Sequence, residues 1–184
     1  YNVQTLCHAG RLHEILERCG RAGINCAALQ GTCTSGESLV EFECVVRRSR
    51  WRCWQWPCAP GDNNAGVSIC LQSDLLTPCM TITAATWLTG RLGQIRLRAS
   101  WCDVTVVSVY LPQGSVRREG MREAWSTFED MVISQPARTG LLLCGDLNAK
   151  VGVPPSTMRR QVGEEDAAAG LPVSPVGGAD PSPE

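Results

Sequence analysis

The chain has 184 residues, a length that predicts one domain of about 150 residues with room for a tail. Its hydrophobic fraction of 43% supports a packed core and excludes wholesale disorder. A net charge of −1 gives no global electrostatic reason to bind nucleic acid or a membrane surface. Since no apolar stretch approaches the ~20 residues that span a bilayer, no membrane partner is predicted.

Hydrophobic periodicity predicts an alternation of strands and helices. In chain order it indicates a short strand at 1–6, a helix at 11–22, strands at 24–30 and 38–46, a loop at 47–64, a strand at 65–71, a β-rich stretch at 77–88, a hairpin at 94–99 and 102–111, a helix at 116–133 and a buried strand at 141–145. The first strand, helix and strand form a βαβ-like unit. The order predicts an α/β fold.

The composition changes after Val153. Prolines recur from Pro154 to Pro183 among Gly and Ala, and an acidic cluster lies between them at 164–166. We therefore predict a domain over 1–152 and a disordered tail over 153–184. Because the chain starts at Tyr1 with strand-like residues at once, we also expect it to be an internal piece of a longer reading frame.

The eleven cysteines include no C-x-x-C pair, and their number is odd. Cys26, Cys70, Cys102 and Cys144 lie in apolar, strand-like runs, as small core residues do. This usage favours a reducing, intracellular compartment and leaves nucleus or cytoplasm open. A zinc site is the weaker alternative.

The sharpest chemical signal is the segment from Leu141 to Lys150, where an apolar strand ends in Gly145-Asp146-Leu147-Asn148. In an extended chain Asp146 and Asn148 point to the same side, because they are two residues apart. A carboxylate and an amide so placed can activate a water and orient a phosphate. The alternative is a simple turn after a strand, for which Gly, Asp and Asn are the expected residues.

Four further motifs precede this one. They are Asn2 near the start, Leu29-Gln30, Gly66-Val67-Ser68-Ile69, and Val109-Tyr110-Leu111-Pro112. In this order and spacing, from about Tyr1 to Gly152, the chain resembles the endonuclease/exonuclease/phosphatase superfamily. Within it, the chain is most similar to the endonuclease domains that non-LTR retrotransposons carry ahead of their reverse transcriptase.

The resemblance implies a four-layered α/β sandwich, with two mixed β-sheets face to face and helices outside. It implies Mg²⁺-dependent hydrolysis of DNA that leaves a 3′-hydroxyl, and a parent element with a fused reverse transcriptase. By position, Asn2 and Asp146 would hold the metal site and Tyr110 would bond near the scissile phosphate. Asp146 would also position or deprotonate the water, and Asn148 would orient it.

Two departures from the family pattern predict an impaired enzyme. The family has a metal-binding Glu directly after Leu-Gln, where this chain has Gly31. The family's final Asp–His pair lies beyond the end of this chain, so the C-terminal part of the fold is expected to be missing. Three nearby carboxylates could replace the lost ligand: Glu37, Glu41 and Glu43.

The segment 47–56 interleaves arginines with tryptophans, which suggests a loop that grips phosphates and stacks on bases. Its candidate nucleic-acid-binding residues are Arg47, Arg48, Arg50, Arg52, Trp51 and Trp54. The favoured alternative is a solvated loop whose tryptophans cover a sheet edge. Two non-catalytic hypotheses therefore stay open: a nucleic-acid-binding remnant, and a decayed fragment with no selected role.

Overall fold

The structure is a computed structural model that describes residues 1–36, 38–59, 62, 65–112 and 118–148. These residues belong to one compact unit, Tyr1–Ala149. The predicted tail at 153–184 lies outside the described residues. In chain order the elements are α1 (Arg11–Arg21), β1 (Cys26–Gln30), β2 (Val40–Val46), β3 (Ser49–Trp56), β4 (Val67–Gln72), a 3₁₀ turn (Ser73–Leu75), β5 (Thr81–Leu88), β6 (Leu92–Ala99), β7 (Cys102–Tyr110), α2 (Arg118–Ile133) and β8 (Gly140–Asp146).

The first sheet has the strand order β1-β4-β3-β2, and all three pairings are antiparallel. The N-terminal segment forms a single parallel bridge, Asn2 to Gln30, instead of the predicted strand at 1–6. It still runs alongside β1, because Val3 N–H donates to the Gln30 carbonyl at 2.8 Å. With α1 as the crossover, this reproduces the predicted strand–helix–strand unit in shortened form.

The predicted loop at 47–64 is wrong over its first half, where β3 is an inner strand of the first sheet. Trp51 and Cys53 face α1, whereas Trp54 and Trp56 face the second sheet. Because both faces of β3 are buried, its tryptophans are core residues. The physical reason is that an inner strand between two packed layers needs large apolar side chains on both faces.

The second sheet has the order β5-β6-β7-β8 and is mixed. β6 and β7 form the predicted hairpin, whose last pair is Ala99 with Cys102. β8 runs parallel to β7 after the crossover through α2, which buries Ala124 and Met131 against Val107 and Val109.

The layers follow the order α1, first sheet, second sheet, α2. The predicted four-layered α/β sandwich is therefore confirmed, although the first sheet is antiparallel. Where the two sheets meet, Gly93 of β6 lies against the Trp56 indole so closely that a Cβ would overlap the ring. Neither helix in the described part of the chain is long and apolar enough to cross a membrane.

Candidate functional site

The polar strand ends singled out in the sequence meet at one end of the sandwich. Tyr110 and Asp146 end the parallel strands β7 and β8 and are direct partners in the register. The Leu111 N–H donates to the Asp146 carbonyl at 3.0 Å and extends this pairing. Because a crossover helix joins two parallel strands, their carboxyl ends share one edge of the sheet.

Asp146 and Asn148 hold each other in a tight turn. The Asn148 N–H donates to Oδ1 of Asp146 at 2.9 Å, and Nδ2 of Asn148 donates to the Leu111 carbonyl at 2.6 Å. Asn148 adopts the left-handed conformation at φ 47°, which Asn tolerates better than most residues. The turn that the sequence left open as an alternative therefore exists, and it places both side chains beside Tyr110.

The first sheet reaches the same edge through Gln30. This side chain is 1% exposed, and its Nε2 donates to Oγ of Ser108 at 3.0 Å. Ser108 in turn donates to the Leu29 carbonyl at 3.3 Å. Since Ser108 precedes Tyr110 by two residues, both side chains lie on the face of β7 that meets the first sheet.

Asn2 lies beside Gln30, and its Oδ1 accepts the Gln4 N–H at 3.1 Å. Gly31 adopts φ +67°, and a Cβ at this position would be 2.9 Å from Asn2 Oδ1. The backbone at the position of the expected glutamate is therefore in a conformation that L side chains rarely adopt.

Asp146 also acts electrostatically on the N-terminal segment. Burial lowers the pKa of the Tyr1 amino group, while Cys144 and Asp146 oppose this shift. Gln30 of β1 and Ser108 of β7 are hydrogen-bonded at the same end of the sandwich. The two sheets thus contribute to one end of the sandwich. We call it the polar edge, and it is formed by Asn2, Gln30, Ser108, Tyr110, Asp146 and Asn148.

The donor set does not fit a resident Mg²⁺, which prefers several oxygen ligands including carboxylates. Asp146 is the single carboxylate at the matched positions, and Gly31 supplies no side chain. Among the described residues, no three His, Cys, Asp or Glu side chains form a cluster that could hold a metal ion.

The eleven cysteines are all free thiols, and Cys70 is buried whereas Cys26, Cys102 and Cys144 are half-buried.

Glu41 and Glu43 are not placed to replace the lost ligand. Both lie on β2, the edge strand opposite β1 in the first sheet. Glu41 accepts hydrogen bonds from Nε of Arg52 at 2.6 Å and Nε1 of Trp54 at 3.0 Å. The third candidate, Glu37, lies outside the described residues.

The arginine and tryptophan residues of 47–56 do not join this edge. The pairing of Trp56 and Gln30 with Val67 marks the polar end of the first sheet, so the turn between β2 and β3 lies at the opposite end. Trp51 and Trp54 are 0% and 1% exposed, which removes them from any nucleic-acid surface of the folded chain.

Arginines do remain exposed at that opposite end. Arg47, Arg48 and Arg50 have exposed side chains, and Arg47 forms an ion pair with Glu17. Arg52 is bound to Glu41 and covers the Trp54 ring at 5.3 Å. Arg48 and Arg50 are therefore available to an anionic partner.

Sequence reasoning missed two residues at the polar edge, Ser108 and Arg91. Ser108 is a buried hydroxyl within the apolar run of β7, a signal that the periodicity analysis could have used. Arg91 lies over the Tyr110 ring, with its Cζ 5.2 Å from the centroid. Its distance of 19 residues from Tyr110 leaves no local pattern to find it.

Solved structures share this fold, among them the following three. The endonuclease domain of TRAS1, a telomere-specific non-LTR retrotransposon, matches with a TM-score of 0.50 and 17% identity over 89% of this chain and 66% of that one. The AP endonuclease LMAP from Leishmania major matches with a TM-score of 0.50 and 14% identity over 80% of this chain and 54% of that one. A humanized D. rerio TDP2 matches with a TM-score of 0.51 and 12% identity over 94% and 66%.

The chain thus spans between about half and two thirds of the length of these structures. No protein-family model and no curated protein matches the sequence. The likeness is one of architecture, and the chain has the fold of the endonuclease/exonuclease/phosphatase superfamily.

Proposed function

We propose that the chain binds DNA at the polar edge and hydrolyses its phosphodiester bonds slowly, leaving a 3′-hydroxyl. The observation that supports this most directly is the placement of Tyr110, Asp146 and Asn148 at the ends of two paired parallel strands. The endonuclease names of two structural neighbours agree with it. A fused reverse transcriptase in the parent protein is part of the same proposal.

In this proposal the three side chains divide the work. The Asp146 carboxylate accepts a proton from the attacking water, whose oxygen then bonds to phosphorus while the bond from phosphorus to the 3′ oxygen breaks. The departing 3′ oxygen takes up a proton from solvent and becomes the 3′-hydroxyl, and Asp146 returns its proton to solvent. The Tyr110 hydroxyl donates to a phosphate oxygen, and the Asn148 amide orients the water. Their shared turn and register hold these groups in position before substrate arrives, which is the requirement for electrostatic catalysis.

The same geometry explains why turnover should be low. Family members place a glutamate after Leu-Gln, and this chain places Gly31 there. Loss of one preorganised electrostatic group typically costs about 10²–10³ in rate. No step of the proposal passes through a bound metal, because the donor set does not form a resident site.

Nicking of supercoiled plasmid, with MgCl₂ or with EDTA, tests the proposal. We expect slow nicking by the unmodified chain, at least about 10² below that of the TRAS1 endonuclease domain under the same conditions. Asp146→Asn should abolish it. Asp74→Asn should not, since this exposed residue lies beyond the other end of β4. Nicking unaffected by Asp146→Asn would contradict the proposal, and rapid Mg²⁺-dependent nicking would contradict the impairment.

The exposed arginines at the opposite end support a second candidate, non-catalytic nucleic-acid binding. Each phosphate contact contributes about 0.9 to the slope of log affinity against log salt for duplex DNA. We expect Arg48→Gln with Arg50→Gln to weaken binding and reduce that slope by about 2 if this surface is used. Binding without cleavage, lost in this double variant and kept in Asp146→Asn, would favour the second candidate.

A further inference from the structure

Arg91 is fixed at the polar edge by its backbone. It follows Gly90, which turns the chain between β5 and β6 at φ +64°, and it directly precedes Leu92 at the start of β6. The Tyr110 N–H donates to the Arg91 carbonyl at 2.8 Å. The two residues therefore remain neighbours as long as β6 and β7 are paired.

The Arg91 side chain is held by three contacts and is mostly covered. Its Cζ lies 5.2 Å above the centre of the Tyr110 ring, Nη1 donates to the Tyr110 carbonyl at 3.5 Å, and Nη2 donates to Oδ2 of Asp62 at 2.6 Å. The side chain is 14% exposed. A guanidinium held in this way loses little further freedom when it binds an anion.

We propose that Arg91 is the phosphate-binding cation of the polar edge, acting on the phosphodiester oxygen next to the Tyr110 hydroxyl. The inference rests on the proposed function, because that function places the phosphate at Tyr110. A phosphodiester brings a negative charge, and the described residues of the edge form no metal site that would balance it. The guanidinium carries five N–H donors in a planar fork that matches phosphate oxygens, and the two hydrogen bonds above engage one donor each.

Asp62 gives the inference a second, opposite test. Its carboxylate is bound to the guanidinium and competes with an incoming phosphate for the same charge. Removing the negative charge by Asp62→Asn should therefore strengthen phosphate binding. If Arg91 had only a structural role, Asp62→Asn would weaken phosphate binding or leave it unchanged.

The chain has only two tyrosines, Tyr1 and Tyr110, so ¹³Cζ-tyrosine labelling gives a direct probe. We would titrate the full chain in EDTA with inorganic phosphate and with the dinucleotide TpT, and assign the Tyr110 resonance with Tyr1→Phe. We expect a saturable shift of Tyr110 that Arg91→Gln weakens about tenfold or more. Asp62→Asn should bind more tightly. Arg96→Gln is the matched control, since it removes an arginine of β6 that has its own aspartate partner, Asp103.

A Tyr110 shift that is absent, or unchanged in Arg91→Gln, would overturn the inference. If Arg91→Gln does not fold, Asp62→Asn decides: unchanged or weaker binding overturns the inference and tighter binding supports it. Arg91-dependent phosphate binding in a chain that never nicks DNA would support Arg91 while contradicting the proposed function. Nicking that persists while phosphate binding is unchanged in Arg91→Gln would support the proposed function and contradict the role of Arg91.

Discussion

Gly31 occupies the position at which the sequence resemblance predicts a glutamate. Its φ of +67° and the nearby Asn2 Oδ1 show a backbone arranged around the absence of a side chain. A glutamate introduced at this position would therefore force an L residue into a strained backbone conformation.

Gly31→Glu should lower the free energy of unfolding by about 1–2 kcal/mol, because an L residue is forced into the left-handed region. Urea unfolding followed by tryptophan fluorescence measures this. Gly31→Asn is the matched variant and should lose less, since Asn visits that region more readily. A Gly31→Glu chain as stable as the unmodified one would show that the loop readjusts without cost.

At the scale of elements, β3 is the strand that the sequence pattern did not predict. Arginines at alternate positions and a downstream run of Pro and Gly favoured a loop. In the structure Arg50 is exposed and Arg52 is half-buried, while Trp54 and Trp56 on the same face pack into the space between the sheets. One strand thus combines a solvated end with a buried end, which a period-two pattern does not separate.

The contact between β3 and β6 predicts a strong packing effect. Gly93→Ala should destabilise the chain by about 1–3 kcal/mol, because the added methyl overlaps the Trp56 indole between the sheets. Thermal or urea unfolding measures the loss.

Gly20→Ala is the control for this exchange. Gly20 lies in α1 with no atom within 4 Å of the added Cβ, so the same change there should stabilise by about 0.5–1 kcal/mol. Equal effects of the two substitutions would contradict the packing argument.

At the scale of the whole molecule, we expect the buried thiols to make the free energy of unfolding fall as the pH rises into the alkaline range. Burial is the main cause that raises the pKa of Cys19, Cys26, Cys33, Cys44, Cys58 and Cys144, with that of Cys26 at about 11. A thiol whose folded pKa exceeds its unfolded value of 9.0 favours the folded state fully below pH 9. That contribution disappears as the pH rises toward 11.

We therefore expect the free energy of unfolding in urea to fall between pH 9 and pH 11. Cys26 alone should account for a loss on the order of 2 kcal/mol by pH 10.5. Cys26→Ala should flatten the pH dependence by that amount while leaving the slope from the other thiols. A free energy that does not change from pH 8 to pH 10.5 would show that the thiols are solvated in the folded chain.

Local patterns in the sequence determined the elements that have one buried face. The apolar stripe of α1 and the alternation in β2 each required a short window, and the order of the strand-end motifs predicted which residues share the polar edge. Asp146 and Asn148 were predicted in this way because they follow directly on an apolar run. The predicted burial of that strand was wrong, because β8 is an edge strand of the second sheet and its Leu142 and Leu143 are 47% and 45% exposed. Their turn and their pairing with Tyr110 follow from parallel topology, which the intervening helix already implied.

Only the tertiary structure decided the contacts between residues far apart in the chain. Gln30 meets Ser108 across 78 residues, and Arg91 reaches Tyr110 from the turn between β5 and β6. The burial of β3 depends on a second sheet formed by residues that follow it. Periodicity reports the exposure of an element to one neighbouring layer, whereas these features depend on which layers meet and in what register. The surroundings of Gly31 also depend on the tertiary structure, because the side chain nearest to it, that of Asn2, comes from another segment of the chain.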